Sequence, residues 1–188
     1  MKQVIHIFGA AGSGTSTLGR ALAERLGLKF MDSDDYYWLP TEPRFTAKRP
    51  PEERLRLMEA DIERSEGAVI SGAFAGWGDP LIKKFTLAIR LVTPTDVRIQ
   101  RIKEREYRRF GDRISEGGDM YAQHQDFLLW AASYDDGDET MRSKAQHDKW
   151  QAALPCKSIV LCGLHTVEEL TEEALRAIPG ETEHDSQL

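Results

Sequence analysis

The sequence predicts an α/β three-layer sandwich built on a five-stranded parallel sheet, with a helical lid and insert. Three observations predict it. Short apolar runs alternate with amphipathic helical stretches from one end of the chain to the other. The first run breaks into a glycine-rich turn that opens a helix. The second ends in a cluster of carboxylates. Strands separated by helical crossovers pair in parallel, and a parallel sheet needs helices on both faces.

The elements follow in order. Residues 4–8 (VIHIF) are an apolar first strand, and residues 15–25 are helical, with Leu18, Ala21, Leu22 and Leu26 on one stripe and Gly27 as the stop. Residues 28–31 form a second strand, followed by Asp32, Asp34 and Asp35, of which Asp35 reads as a helix cap. Residues 39–51 (LPTEPRFTAKRPP) hold four prolines and no periodicity, the pattern of an ordered surface loop. Pro51, Glu52 and Glu53 open a helix with Leu55, Met58 and Ile62 on its buried stripe. A third strand at 68–70 ends in Ser71, Gly72 and Ala73; the loop FAGWGDP follows, then a fourth strand at 85–92 and a helix over 96–107. Residues 98–113 carry seven Lys or Arg against three acids, the one strongly basic segment. Helices over 121–134 and up to about 153 flank the turn YDDGD, and a last strand at 158–161 precedes a helix over 167–178. Residues 1–180 thus read as one domain, with lid and insert at about 108–153 and a polar tail at 181–188.

Composition narrows the function classes. With 188 residues, one domain can bury roughly 70% of its unfolded surface. No apolar run approaches the roughly 20 residues that cross a bilayer, and residues 4–8 are too short for a secretory core. The net charge of −6 argues against general nucleic-acid binding. Cys156 and Cys162 are too few for a disulfide framework and match no zinc spacing, so they read as core thiols in a reducing cytoplasm. His6 reads as a core residue, and His124 and His147 fall on the inserted helices without metal spacing. The partner expected is a small molecule rather than a membrane, for a monomer or homodimer.

The stretch that carries chemistry is Gly9, Ala10, Ala11, Gly12, Ser13, Gly14, Thr15, Ser16 and Thr17. Gly9-x4-Gly14-x-Ser16 is the spacing of a phosphate-binding P-loop, in which backbone N–H groups wrap a phosphate and a hydroxyl reaches Mg²⁺. The lysine that normally precedes the hydroxyl is replaced by Thr15, and with it goes the point charge on the β- and γ-phosphates. The glycines and the helix dipole can still hold an anion. A dinucleotide site is the rival reading, but the third glycine of GxGxxG is missing.

With a P-loop followed by Asp32-Ser33-Asp34 at the end of the second strand, the chain resembles the small P-loop kinases related to adenylate, shikimate and gluconate kinase, over roughly residues 3–178. The spacing is most similar to the shikimate-kinase type. The resemblance implies ATP and Mg²⁺ as cofactors, with Ser16 and Asp32 as Mg²⁺ partners and Asp34 as substrate ligand and candidate proton acceptor. It also implies a basic lid, to which Arg101, Arg105, Arg108, Arg109 and Arg113 correspond. Arg105 and Arg109 are the catalytic candidates and Arg101 a nucleotide contact; the patch is expected to make up for the missing lysine. The acceptor candidates are Tyr36, Tyr37, Trp38, Arg44, Arg54 and Trp77, with Tyr37, Arg54 and Trp77 preferred. Two departures separate the chain from a minimal shikimate kinase: Ser71-Gly72-Ala73 stands where that family has three glycines, and residues 118–153 are additional. A P-loop with threonine for lysine is also similar to that of archaeal-type cytidylate kinases and of many uncharacterised adenylate-kinase-like bacterial proteins, and DSDDYYWLP resembles the Trp-Pro pattern of kinase-like proteins described as DNA topology modulators. Phosphoryl transfer to a nucleotide or nucleoside, slightly ahead of a sugar acid or other hydroxyl metabolite, is the expected activity; a nucleotide-binding regulatory module is the alternative.

Overall fold

The computed structural model describes residues 2–178, so the tail expected at 181–188 lies outside the described residues. Five strands, β1 (Gln3–Gly9), β2 (Lys29–Asp32), β3 (Gly67–Ser71), β4 (Leu87–Val92) and β5 (Lys157–Cys162), make one sheet in the order β2-β3-β1-β4-β5. Every pairing is parallel. The helices are α1 (Thr15–Leu26), α2 (Ser33–Tyr37), α3 (Pro51–Arg64), α4 (Thr95–Phe110), α5 (Tyr121–Ala132), α6 (Lys144–Ala152) and α7 (Val167–Ala177). Among them no helix is long and apolar enough to cross a membrane.

Side-chain alternation along β1 builds two cores at once. Ile5 and Ile7 point into a cluster with Leu18 and Leu22 of α1 and Leu170 and Ala174 of α7. Val4 and Phe8 point the other way, to Met58 and Ile62 of α3 and Trp150 of α6. Each such buried aliphatic or aromatic side chain contributes about 1.5–3 kcal/mol by leaving water. The strands are therefore buried on both faces, and their carboxyl ends, from Asp32 through Gly9 to Val92, share one edge with the loops that follow.

Several boundaries differ from the sequence expectation. Asp35 is not the cap of the carboxylate turn; Asp32 is, its side chain accepting from Asp34 N at 3.1 Å, so Asp34 and Asp35 lie in the first turn of α2. The loop after β3 contains a 3-10 turn, Asp79–Lys84, seated by Leu81. Residues 85 and 86 stay outside β4, where Thr86 N donates to Val4 O at 2.8 Å. Met141 precedes α6 instead of lying on it. Cys162 is not a core thiol but exposed, because β5 is an edge strand and only part of it is covered, while Cys156 is half-buried against the second core.

Two buried polar groups organise the interior. Arg98 of α4 is fully buried, and its guanidinium joins four segments. Nε donates to Thr93 O at 3.1 Å, Nη1 to Ala131 O at 2.9 Å and Ala11 O at 3.4 Å, and Nη2 to Thr95 Oγ1 at 2.7 Å and Asp135 Oδ2 at 3.1 Å. His6 lies at the sheet centre within a ring of Phe8, Phe74, Phe85 and Trp150. Its Nε2 hydrogen-bonds Gly72 O at 3.0 Å. His147 of α6 is buried nearby, its Nδ1 sharing a 2.8 Å hydrogen bond with the Tyr134 hydroxyl. Burial lowers the pKa of each histidine to about 3, and for His147 the Arg142 charge adds to the effect.

Two tests follow from these groups. Arg98→Met strands three carbonyls at about 1–3 kcal/mol for each buried acceptor left unpaired, so urea denaturation should register a loss of at least about 3 kcal/mol. For the histidines, the unfolded chain binds protons below pH 6.5 that the native state refuses until about pH 3. Stability is therefore complete above pH 6.5 and falls with acidification, by about 1.4 kcal/mol per pH unit for each histidine. His6→Phe should remove one proton from that slope between pH 6 and 4; an unchanged slope would show that His6 is not held neutral.

Candidate functional site

The site is assembled at the carboxyl edge of the sheet. After β1 the chain turns with Ser13 N donating to Ala10 O at 3.1 Å, then enters α1. Gly12 adopts φ 79°, and a Cβ there would sit 2.5 Å from Arg98 O, so the loop backbone lies directly on α4. The N–H groups of Gly14, Thr15 and Ser16 have no acceptor among the described residues. Three free donors at a helix N-terminus, with the dipole behind them, suit a phosphate. Thr15 is buried at 9% exposure, and its short side chain brings no charge to this hollow.

The carboxylates meet the loop through Ser16. Its Oγ donates to Asp32 Oδ2 at 2.8 Å and accepts from Ser71 Oγ at 3.3 Å. Gly72, at φ 112°, has no room for a Cβ, which would lie 1.9 Å from Ser33 Oγ; the turn after β3 thus presses on the turn that holds both aspartates. Burial raises the pKa of Asp34, the Asp32 carboxylate raises it further, and the Arg142 and Arg105 charges pull it back. Ser16 and Asp32 fit Mg²⁺, which keeps several waters and takes one or two protein oxygens. No group of three His, Cys, Asp or Glu among the described residues forms a self-contained metal cage.

The basic helix does not converge as its spacing implies. Arg101 Nη1 donates to Gly163 O at 3.0 Å and lies near Gly14, at the rim of the loop. Arg105 and Arg109 both pair with the buried Glu106, at 2.9 and 3.6 Å, and Arg109 also covers the Phe45 ring at 5.6 Å. Arg108 turns back along its own helix to Glu104 O, and Arg113 bridges Asp119 and Glu42. The proline-rich loop is closed by a Trp38–Lys48 bridge, so Glu42 and Phe45 at its tip meet the lid arginines.

On the acceptor side, Arg54 is buried with Nε donating to Arg49 O at 2.6 Å. Its guanidinium lies 3.8 Å over the Tyr37 ring and 5.9 Å from that of Trp77. Tyr36 and Arg44 stand apart from this group: Tyr36 ties α2 to α3 through Asp61 at 2.6 Å, and Arg44 lies over Phe45. Trp38 packs between Tyr37 and Phe45.

One residue that sequence reasoning missed is Arg142, in the turn before α6. Its Nη2 donates to Gly9 O at 2.7 Å across 133 residues, and its Nε is buried without a partner. Its guanidinium lies 5.8 Å from the Trp130 ring, and its charge acts on Asp34 and Asp32. No local pattern flags it, because a single arginine in ETMRSK has no motif around it.

Known proteins place this arrangement in a family. A family profile described as AAA domain matches residues 5–124, more than half of the chain. The chain is similar to "Uncharacterized protein YqaC" of Bacillus subtilis (strain 168), 42% identical over 93% of this chain and 97% of that one. It is 35% identical to a cytidylate kinase of Methanothrix thermoacetophila over 60% of this chain and 69% of that protein. A solved structure of a gluconokinase from Sinorhizobium meliloti 1021 superposes with a TM-score of 0.54 at 18% identity, covering 94% of this chain and 91% of that one, and shares the fold. With loop, parallel sheet and flanking helices in common, this chain belongs to the AAA-domain family of P-loop proteins, in the company of small-molecule kinases.

Proposed function

We propose that the protein catalyses ATP-dependent, Mg²⁺-requiring phosphoryl transfer to the hydroxyl or phosphate of a small acceptor. A nucleotide or nucleoside is favoured slightly over a sugar acid or other hydroxyl metabolite; similarity to a cytidylate kinase supports the first class. The observation that carries the reading is the Ser16–Asp32 contact at 2.8 Å, with Asp34 N held on the same carboxylate at 3.1 Å; Ser16 also carries one of the three N–H groups without an acceptor among the described residues. Phosphate cradle, metal ligands and a candidate base thus share one corner of the site.

Bound Mg²⁺ and ATP would supply the transferable phosphoryl group and its leaving group. Residues 9–17 would hold the phosphates by backbone donors, and Arg101 at the loop rim would face the nucleotide. Ser16 and Asp32 would ligate the metal. Asp34, with its pKa raised by burial, would orient the acceptor hydroxyl and take its proton. Arg105 and Arg109, held by Glu106 in this conformation, would turn to the transferring group on binding. Arg54, flat against Tyr37 and Trp77, would grip an anionic group of the acceptor. The alternative, a nucleotide-binding regulator without transfer, is favoured by Thr15 in place of lysine.

The deciding experiment is phosphate transfer from Mg·ATP across nucleosides, nucleotides, sugar acids and polyols; tight ATP binding without transfer to any of them selects the regulator. Ser16→Ala should lower Mg·ATP use at least about tenfold, as expected for losing a ligand to a charged group worth about 1.5–3 kcal/mol. Asp34→Asn should lower kcat by about 100-fold or more while sparing ATP affinity, general base catalysis being worth about 10²–10⁴. Because the base acts ionised, the wild-type rate should rise with pH through a pKa above that of an ordinary aspartate, and this limb should vanish in Asp34→Asn. Arg54→Ala should raise the acceptor KM by about tenfold or more, with ATP KM unchanged.

A further inference from the structure

The loop lacks its own cation, yet one reaches it from elsewhere. We propose that Arg142, delivered by the turn between α5 and α6, supplies from outside the loop the positive charge that Thr15 does not, and grips the terminal phosphate of a bound nucleoside triphosphate. This rests on reading the loop as a nucleotide site, but not on phosphate being transferred.

The case is made by position, by unmet bonding and by elimination. Arg142 Nη2 is fixed at 2.7 Å on Gly9 O, the carbonyl of the first loop glycine, where β1 ends and the loop that carries the free N–H groups begins. Of its five donors that is the one engaged among the described residues, and Nε is buried without a partner among them. No carboxylate within 4.0 Å pairs with it among the described residues, whereas Arg90, Arg98, Arg105, Arg109 and Arg113 each have one. Arg142 is half-buried with its Nε sealed from solvent, and holding a guanidinium there without a counter-ion is costly and marks a place for an anion. Asp34 and Asp32 act on it electrostatically without pairing with it, so its charge is felt at both carboxylates. The guanidinium also lies over the Trp130 ring at 5.8 Å, a cation–π contact that helps hold it.

In this conformation Arg98, Arg105 and Arg109 are engaged by protein carboxylates, and Arg101, with one donor on a carbonyl, is the nucleotide contact proposed above. Arg98 is consumed by carbonyls and Asp135, Arg101 reaches Gly163 O, and Arg105 and Arg109 share Glu106. The family match ends at residue 124, so this cation comes from chain beyond the shared segment, which gives the insert a task.

The test is second-site rescue, read as affinity for Mg·ATP against Mg·ADP by calorimetry on the full chain. Arg142→Gln should weaken ATP by about 10–100-fold, as expected for hydrogen bonds to a charged group, and weaken ADP clearly less. Thr15→Lys placed in the Arg142→Gln background should recover at least about tenfold of the ATP loss, the same energy being restored from the loop. A purely structural role would lower melting temperature and leave the ATP-to-ADP preference unchanged; that result, or absence of rescue in a folded double variant, overturns the proposal. If Arg142→Gln does not fold, Arg142→Lys is read the same way: reduced preference supports the proposal and unchanged preference overturns it. A wild type that binds ATP with this dependence on Arg142 but phosphorylates nothing removes the kinase reading alone.

Discussion

The site depends on one buried guanidinium. Arg98 binds the carbonyls of Ala11 in the loop, Thr93 after β4 and Ala131 at the end of α5, so a single rigid group sets the loop, the sheet edge and the insert relative to one another. The contact of Gly12 with Arg98 O completes it, since the loop can lie on α4 only where no Cβ intervenes. A guanidinium suits this role because its planar fork offers five donors in fixed directions and stays charged when buried. The carbonyls it satisfies would otherwise lie unpaired in the interior.

With the loop fixed, the electrostatics of the site are a contest between two aspartates and several arginines. Asp32 is tied by Ser16 and by Asp34 N, and so stays in place as an oxygen donor. Asp34 has less support: burial and its neighbour disfavour its charge, and Arg142 and Arg105 favour it. That balance sets a carboxylate apart from its neighbour two residues away, which is how one short turn can offer two carboxylates with different chemistry. The Glu106 pairs of Arg105 and Arg109 add a further state: these side chains are parked on a protein carboxylate within reach of the same region.

The helical insert has a structural role as well as a place near the loop. Trp150 fills the second core, His147 packs on Phe8, and Tyr134 bonds His147 and faces Arg98. Removing water from these faces makes α6 part of the sandwich, and the turn before it is tied to the end of β1 by Arg142 on Gly9 O. Arg90 of β4 reaches Asp148 and Gln151 of α6 and ties the two layers together.

Amino-acid order alone was enough for the sandwich, because its signals are local. A strand of VIHIF, the glycine spacing of the loop, Pro51 with two acids at a helix start, and aspartates at a strand end each depend on neighbours a few residues away. Ser16 and Asp32, 16 residues apart, meet because the loop after β1 and the end of β2 share one edge of the sheet, and Arg54 meets Tyr37 and Trp77 from α3. Tertiary structure alone decided which arginines reach the glycine loop. Helical spacing puts Arg101, Arg105 and Arg109 on one face, but Gly163 O and the buried Glu106 claim them, while Arg142 arrives from 133 residues away. Charges act through space and their partners come from any part of the chain, so periodicity can locate a basic helix but not the anion it will meet.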